Sequence, residues 1–234
     1  MIKQGEIIFN GKSSLNMNLR LEKYPTVQMT SEEYEEVPVE GRSGTLILNK
    51  GTYPNKVLPF TFTKISDDID NMDELYDWLT NISDKRLFFG RNDRVYIVKK
   101  VVIGNFQKEF ISFGNIDVQF ICEPFLSDVY ENEYIITQSG FSFFYGGTAP
   151  SNSLIRVYGN GNVQIIVDDS TMLIKDVIDY VDIDGELMQI RDKLGQSKDL
   201  DTTGDFVELD IGKHVIKFSS NITKIEFKYI AKYK

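Results

Sequence analysis

The sequence predicts a mainly β protein in two domains, with a single α-helix and a C-terminal antiparallel sandwich or jelly roll. Three observations carry that prediction. Apolar and polar residues alternate with a period of two along most of the chain, the pattern of strands that bury one face. Helical spacing is clear in one segment only. Beyond Glu133, turn signals divide the chain into many short strand-like runs with no helix among them, as in antiparallel sandwiches.

The elements follow in order. Leu15, Met17, Leu19 and Leu21 alternate with Asn16, Asn18 and Arg20 and predict one strand, with further strands at Glu6–Phe9, Thr45–Leu48, Val57–Thr63, Arg94–Val102 and Phe110–Ile121. The helix is predicted over Ile69–Leu79, where Ile69, Met72, Leu75, Tyr76 and Leu79 recur at helical spacing. Asp67 or Asp68 stands where a side chain caps the first turn, and Asp70, Asp73 and Glu74 suit the positive end of the dipole. Its Met72–Tyr76–Leu79 stripe reads as core. A boundary is expected at Pro124–Glu133, dividing residues 1–130 from residues 131–234. The second part predicts strands at Ser153–Tyr158, Val163–Val167, Asp179–Ile183, Leu187–Ile190, Val207–Asp210, His214–Phe218 and Thr223–Ile230, separated by turns such as Gly159-Asn160-Gly161, Asp168-Asp169 and Asp184-Gly185.

Composition narrows the chemistry. The 234 residues are 41% hydrophobic and 26% charged, values of an ordinary folded chain, and suffice for two domains. Sixteen Phe and twelve Tyr against one Trp suit packed strands. A net charge of −9 disfavours partners held through phosphates, so nucleic-acid recognition is not expected. One Cys and one His exclude an internal disulfide and the usual four-ligand zinc site. The N-terminus lacks an apolar signal segment, and no run is long and apolar enough to insert in a membrane. A soluble product of a cytoplasm is the expectation.

No catalytic constellation is legible, and no cofactor or metal is expected. Asp182 and Asp184 would share a strand face and with Glu186 could approach a Ca²⁺ ion, yet the fragment lacks the rest of an EF-hand loop and reads first as a hairpin turn. His214 has no nucleophile in a recognisable motif and is expected at a strand edge. Cys122 ends an alternating strand as a small buried thiol. Phe141, Phe143, Phe144 and Tyr145 lie between Gly140 and Gly147. They read either as an exposed platform for sugar stacking or subunit contact, or as a strand entering the second core.

More telling is Val37–Tyr53, a turn–strand–turn unit. Gly41 and Gly44 flank Arg42 in a tight connection, and Gly51 makes a second turn before Tyr53; such glycines suit positive φ or close backbone approach. The run Val39-Glu40-Gly41-Arg42-Ser43-Gly44, then Gly51-Thr52-Tyr53, then a single helix, then Phe120-Ile121-Cys122-Glu123-Pro124-Phe125, resembles the distal tail protein family of long-tailed, non-contractile bacteriophages. Tyr180 to Glu186, Gly204 to Leu209 and Ile211 to Ile216 are similar to segments of that family's C-terminal domain. The chain departs after Phe206, often followed by Pro there, and at His214, often Asn.

The resemblance implies a structural virion protein without enzymatic activity. Its N-terminal domain would be a β-sandwich with one α-helix and an extended hairpin, closing into a homohexameric ring. Its C-terminal domain would be a galectin-like antiparallel β-sandwich. Gly41, Arg42, Gly44, Gly51, Tyr53 and Pro124 would be motif residues of structural importance. The ring would be a baseplate hub at the virion tail tip, assembled in the host bacterial cytoplasm and joining the tail tube protein to tail-tip and receptor-binding proteins. The alternative is a carbohydrate-binding adhesion module that meets the host surface through the C-terminal sandwich.

Overall fold

A computed structural model describes residues 3–65, 72–110 and 113–234. The chain divides into two compact units, Met1–Ser127 with Lys234, and Asp128–Tyr233. In the first unit the strands are β1 (Ile7–Phe9), β2 (Lys12–Ser13), β3 (Leu19–Leu21), β4 (Tyr34–Pro38), β5 (Thr45–Asn49), β6 (Lys56–Ile65), β7 (Arg86–Phe89), β8 (Arg94–Phe110) and β9 (Phe113–Cys122), with helix α1 (Asp73–Thr80) after β6. All of these pairings are antiparallel, in the order β2-β1-β7-β8-β9-β6-β3, and β4 and β5 form a separate two-stranded hairpin.

The core of this unit follows from alternation. Leu58, Phe60 and Phe62 of β6 meet Ile116, Val118 and Phe120 of β9 and Ile7 and Phe9 of β1, all buried. The Phe9 ring lies 4.9 Å from Phe120 and 6.0 Å from Trp78. Helix α1 enters this cluster with Leu75, Trp78 and Leu79. The Trp78 indole N–H donates to the Phe9 carbonyl at 2.7 Å, so the largest core side chain leaves no buried donor unpaired.

Four readings of this half are corrected. The Leu15–Leu21 strand is a 3₁₀ turn over Ser14–Met17 followed by β3. Ser13 accepts from the Leu15 N–H, and Asn18 takes a left-handed conformation at φ 56°, so side-chain capping overrides the alternating pattern. Helix α1 begins at Asp73, capped by Met72 with no side-chain hydrogen bond; Ile69 and Asp70, with the candidate caps Asp67 and Asp68, lie outside the described residues. Tyr76 is exposed, and Trp78 takes the core place assigned to it, because Leu75, Trp78 and Leu79 are themselves spaced i, i+3, i+4. The strand expected to stop at Val102 runs on to Phe110. A register shift between Ile103 and Phe106 absorbs Gly104, where an added Cβ would lie 2.9 Å from the Asp117 carbonyl.

After β10 (Leu126–Asp128), the second unit contains β11 (Asn132–Ile136), β12 (Phe141–Tyr145), β13 (Ser151–Gly159), β14 (Gly161–Val167), β15 (Ser170–Val177), β16 (Tyr180–Asp184), β17 (Gln189–Asp192), β18 (Thr202–Thr203), β19 (Glu208–Leu209), β20 (Gly212–Phe218), β21 (Ile222–Tyr229) and β22 (Lys232–Tyr233). One antiparallel sheet runs β11-β21-β13-β16-β17 and the other β12-β20-β14-β15-β18. Ile155, Val157, Ile225 and Phe227 from the first sheet and Ile165, Ile174, Ile216 and Tyr145 from the second share one buried core. This is the sandwich arrangement, each sheet burying one face. Strand β15 lies outside the strands that alternation predicts; the turn leading into it is two residues long, Asp168 and Asp169, and Asp168 adopts φ 52°.

Replacing Trp78 by Ala is expected to lower unfolding free energy by about 3–5 kcal/mol through lost burial and a residual cavity. Trp78→Phe keeps most of the volume and loses the indole hydrogen bond to the Phe9 carbonyl, for a smaller loss of about 0.5–1.5 kcal/mol. Urea titrations followed by far-ultraviolet circular dichroism would rank the two.

Candidate functional surfaces

The hairpin of β4 and β5 is the first surface. Every residue of β5 is exposed, and none in β4 is buried. Leu46, Ile47 and Leu48 all face solvent, Ile47 at 64% exposure. The register sets Glu35 opposite Leu48, Glu36 opposite Ile47 and Val37 opposite Leu46, so each apolar residue of β5 except Leu46 has a glutamate across from it.

The motif residues divide between the two ends of this hairpin. Gly41, Arg42 and Gly44 form its tip, where the Arg42 N–H donates to the Val39 carbonyl at 3.2 Å. Gly41 and Gly44 have φ of +77° and +84°, and an added Cβ would touch nothing, so glycine serves backbone conformation there rather than space. Gly51, Tyr53 and Pro124 belong to the base. The Gly51 N–H donates to the Asn49 side chain at 2.9 Å, and the Tyr53 hydroxyl donates to Glu32 at 2.7 Å. Asn49 also donates to Glu32, and these two hydrogen bonds, Asn49 first, hold the Glu32 carboxyl below its usual range. The Tyr53 ring packs edge-on against Phe125 at 4.8 Å, and the Pro124 carbonyl accepts from Thr30 at 3.0 Å. The structure thus brings Tyr53 to the Pro124–Phe125 segment.

Strand β12 does not present a platform of four rings. Phe143 and Tyr145 point into the second core, and Phe141 is half-buried against it, because successive side chains on a strand alternate faces. Phe144, at 68% exposure, is the ring of this strand turned to solvent. The Tyr145 hydroxyl donates to the Ala149 carbonyl at 2.6 Å and accepts from the Lys232 N–H at 2.9 Å, a structural role.

His214 is likewise not at a strand edge. It sits in β20 between β12 and β14 and is buried. Its Nε2 lies 2.7 Å from the Asp210 carbonyl, which can only accept, and its Nδ1 lies 2.6 Å from Asp168 Oδ2. Asp168 Oδ1 accepts from the Val215 N–H at 2.8 Å. The histidine and one carboxylate therefore fasten the β14–β15 turn to β20, and both ring nitrogens are engaged.

A third surface is the outer face of the sheet β11-β21-β13-β16-β17, which carries a cleft of about 570 Å³. Register sets Glu226 beside Arg156, Arg156 beside Asp182, and Asp182 beside Arg191, so charge alternates across four strands. Arg156 holds Asp182 through two hydrogen bonds, 2.6 and 2.9 Å, and its guanidinium lies 4.5 Å from the Tyr180 ring centroid. Those hydrogen bonds, Asp182 first, push the Arg156 pKa up. Asp184 Oδ1 accepts from the Glu186 and Leu187 N–H groups and shapes the β16–β17 turn. Asp182 and Asp184 are thus committed to a guanidinium and a turn, and among the described residues no cluster of His, Cys, Asp or Glu is arranged to hold a metal ion.

Cys122 is buried, and burial pushes its thiol up to about 12, only partly offset by nearby Lys56. Burial and a raised pKa both disfavour the thiolate that a nucleophilic cysteine requires.

Among the described residues these features define a two-unit antiparallel β chain whose first unit carries one α-helix and an exposed hairpin. No family model matches the chain, and no curated protein sequence matches it. Among solved structures the chain is similar to SPP1 Dit (gp 19.1), described as a paradigm of the hub adsorption apparatus in phages that infect Gram-positive bacteria. The two are 13% identical with a TM-score of 0.67, over 98% of this chain and 99% of that one. The likeness is one of fold, along nearly the full length of both chains.

Two outcomes are expected from these sites. His214→Ala removes both ring hydrogen bonds and is expected to lower stability by about 1.5–3 kcal/mol, read by urea denaturation. Cys122 in the native protein is expected to resist Ellman's reagent at pH 8 and to react once unfolded. Because its pKa is raised on folding, the associated stability is present below the ordinary thiol value of 9.0 and is lost as pH climbs toward about 12.

Proposed function

We propose that this chain is a structural hub protein of a bacteriophage tail, acting as a homohexameric ring at the tail tip rather than as an enzyme. The observation that carries the reading is the full-length likeness of fold to SPP1 Dit. Under it, the ring joins the tail tube protein to tail-tip proteins, and possession of a receptor-binding partner follows from that position.

The exposed hairpin supports the same reading on independent grounds. A two-stranded hairpin that buries neither face is marginal alone in water, and a run such as Leu46-Ile47-Leu48 gains stability by meeting a second chain. A ring built by head-to-tail contacts requires one protruding surface per subunit and one receiving surface on the next, and the hairpin supplies the first. The adhesion reading loses the aromatic platform once placed on β12, since two of its four rings are buried.

Light scattering on the purified protein is expected to give a mass of about 161 kDa, six chains of 26.9 kDa. Replacing Leu46, Ile47 and Leu48 together by Thr keeps strand propensity while removing apolar surface. That variant is expected to run as single chains with an unchanged circular dichroism spectrum. A wild-type protein that stays monomeric at high concentration, alone and with its tail partners, would defeat the ring.

A further inference from the structure

We propose that the open edge of β12 is a docking site for an extended, uncharged segment of a partner protein, which joins the sheet β12-β20-β14-β15-β18 as a further strand. Strand β12 ends that sheet and pairs with β20 on one side only. The Val215 N–H donates to Asp168 Oδ1 and the Val215 carbonyl accepts from the Asp168 N–H, so Val215 turns both peptide groups away from β12. Ser142, opposite Val215, therefore directs its own N–H and carbonyl to the open side, and Phe144, two residues on, repeats that orientation. Both residues are exposed. The edge thus offers a donor and an acceptor at each of these positions, in the spacing a new antiparallel strand would match.

The chemistry of the edge selects its occupant. From Tyr134 to Ile155 the chain carries no charged residue, although 26% of its residues overall are charged. Natural sheets guard open edges with charges or very short strands, and the other ends of these two sheets are so guarded. Strand β11 carries Glu133, β17 carries Arg191 and Asp192, and β18 is two residues long. Strand β12 has five residues and neither guard. Phe141 of β12 and Tyr134 of β11, with ring centroids 5.4 Å apart, are half-buried against the core. An added strand would cover them with every second side chain, so the segment that fits is extended, without charge and apolar at alternate positions. Pairing of β12 with β12 of a second copy requires a two-fold axis, which a six-membered head-to-tail ring lacks; assigning the edge to a different protein rests on the ring proposed above. Main-chain hydrogen bonds supply the affinity and alternate side chains the selectivity, and a short free peptide is expected to bind with a Kd of about 1 mM.

The test uses the full-length protein with a short capped peptide alternating Val and Thr, read by hydrogen exchange resolved to single amides. In the protein alone the Ser142 and Phe144 amides are expected to exchange freely, and at about 5 mM peptide to slow about fivefold. The same peptide N-methylated at alternate residues, or with Lys in place of each Val, is expected to give no slowing. Ser142→Pro removes an N–H that β20 does not use, and Phe144→Lys sets a charge on an exposed edge position; each is expected to weaken binding about tenfold with an unchanged melting temperature. Absence of slowing, equal slowing by the N-methylated or Lys peptide, binding that survives both substitutions, or protection of these amides in the protein alone would overturn the proposal. Peptide binding reads alike on single chains and on rings, so its outcome is separate from that of the light-scattering experiment.

Discussion

The constraint on which the structure depends is that each strand must hide one face and can show the other. In the second unit this forces two sheets together, with Ile155 and Val157 of β13 turned inward and Leu154 and Arg156 turned outward on the same strand. The core and the cleft are therefore two sides of one register. A slip of one residue in β13 would carry Arg156 into the core and Ile155 into the cleft, so the energy that fixes the core also fixes the spacing of the surface charges. The polar arrangement inherits its rigidity from apolar packing that it never touches.

The hairpin of β4 and β5 departs from that constraint, with no residue buried in either strand. It is held from its base, where the Glu33 N–H donates to the Thr52 carbonyl at 2.8 Å and the Lys50 N–H donates to the Glu33 carbonyl at 3.0 Å. Glu32 gathers Asn49 and Tyr53 at the same level. Glutamates opposite Ile47 and Leu48 interrupt what would otherwise be an uncharged apolar edge, the device by which natural sheets resist indiscriminate pairing.

Much of the fold was legible because alternation is a local signal. Strands β6, β9, β13, β14 and β21 follow it closely, and the single helix follows its own period. What failed did so where a local feature overrides that pattern. Ser13 and Asn18 turn Leu15–Met17 into a 3₁₀ turn, and Gly104 carries β8 through a bulge where a break was expected. The sites were less legible. Gly41 and Gly44 are recognisable as turn residues from the sequence, whereas the cleft unites residues of β13, β16, β17 and β21 that only strand order makes adjacent. His214 shows the same limit, since its partners Asp168 and Asp210 come from two different turns.

The single tryptophan has a use beyond holding α1 to the sheet. Trp78 belongs wholly to the first unit, and the second unit contains no indole. Emission excited at the red edge of the indole band therefore reports on the first unit alone, while the many tyrosines of the second contribute only at shorter wavelengths. Opening of one unit before the other would appear as a mismatch between indole emission and backbone dichroism, an optical separation of the two halves that needs no label.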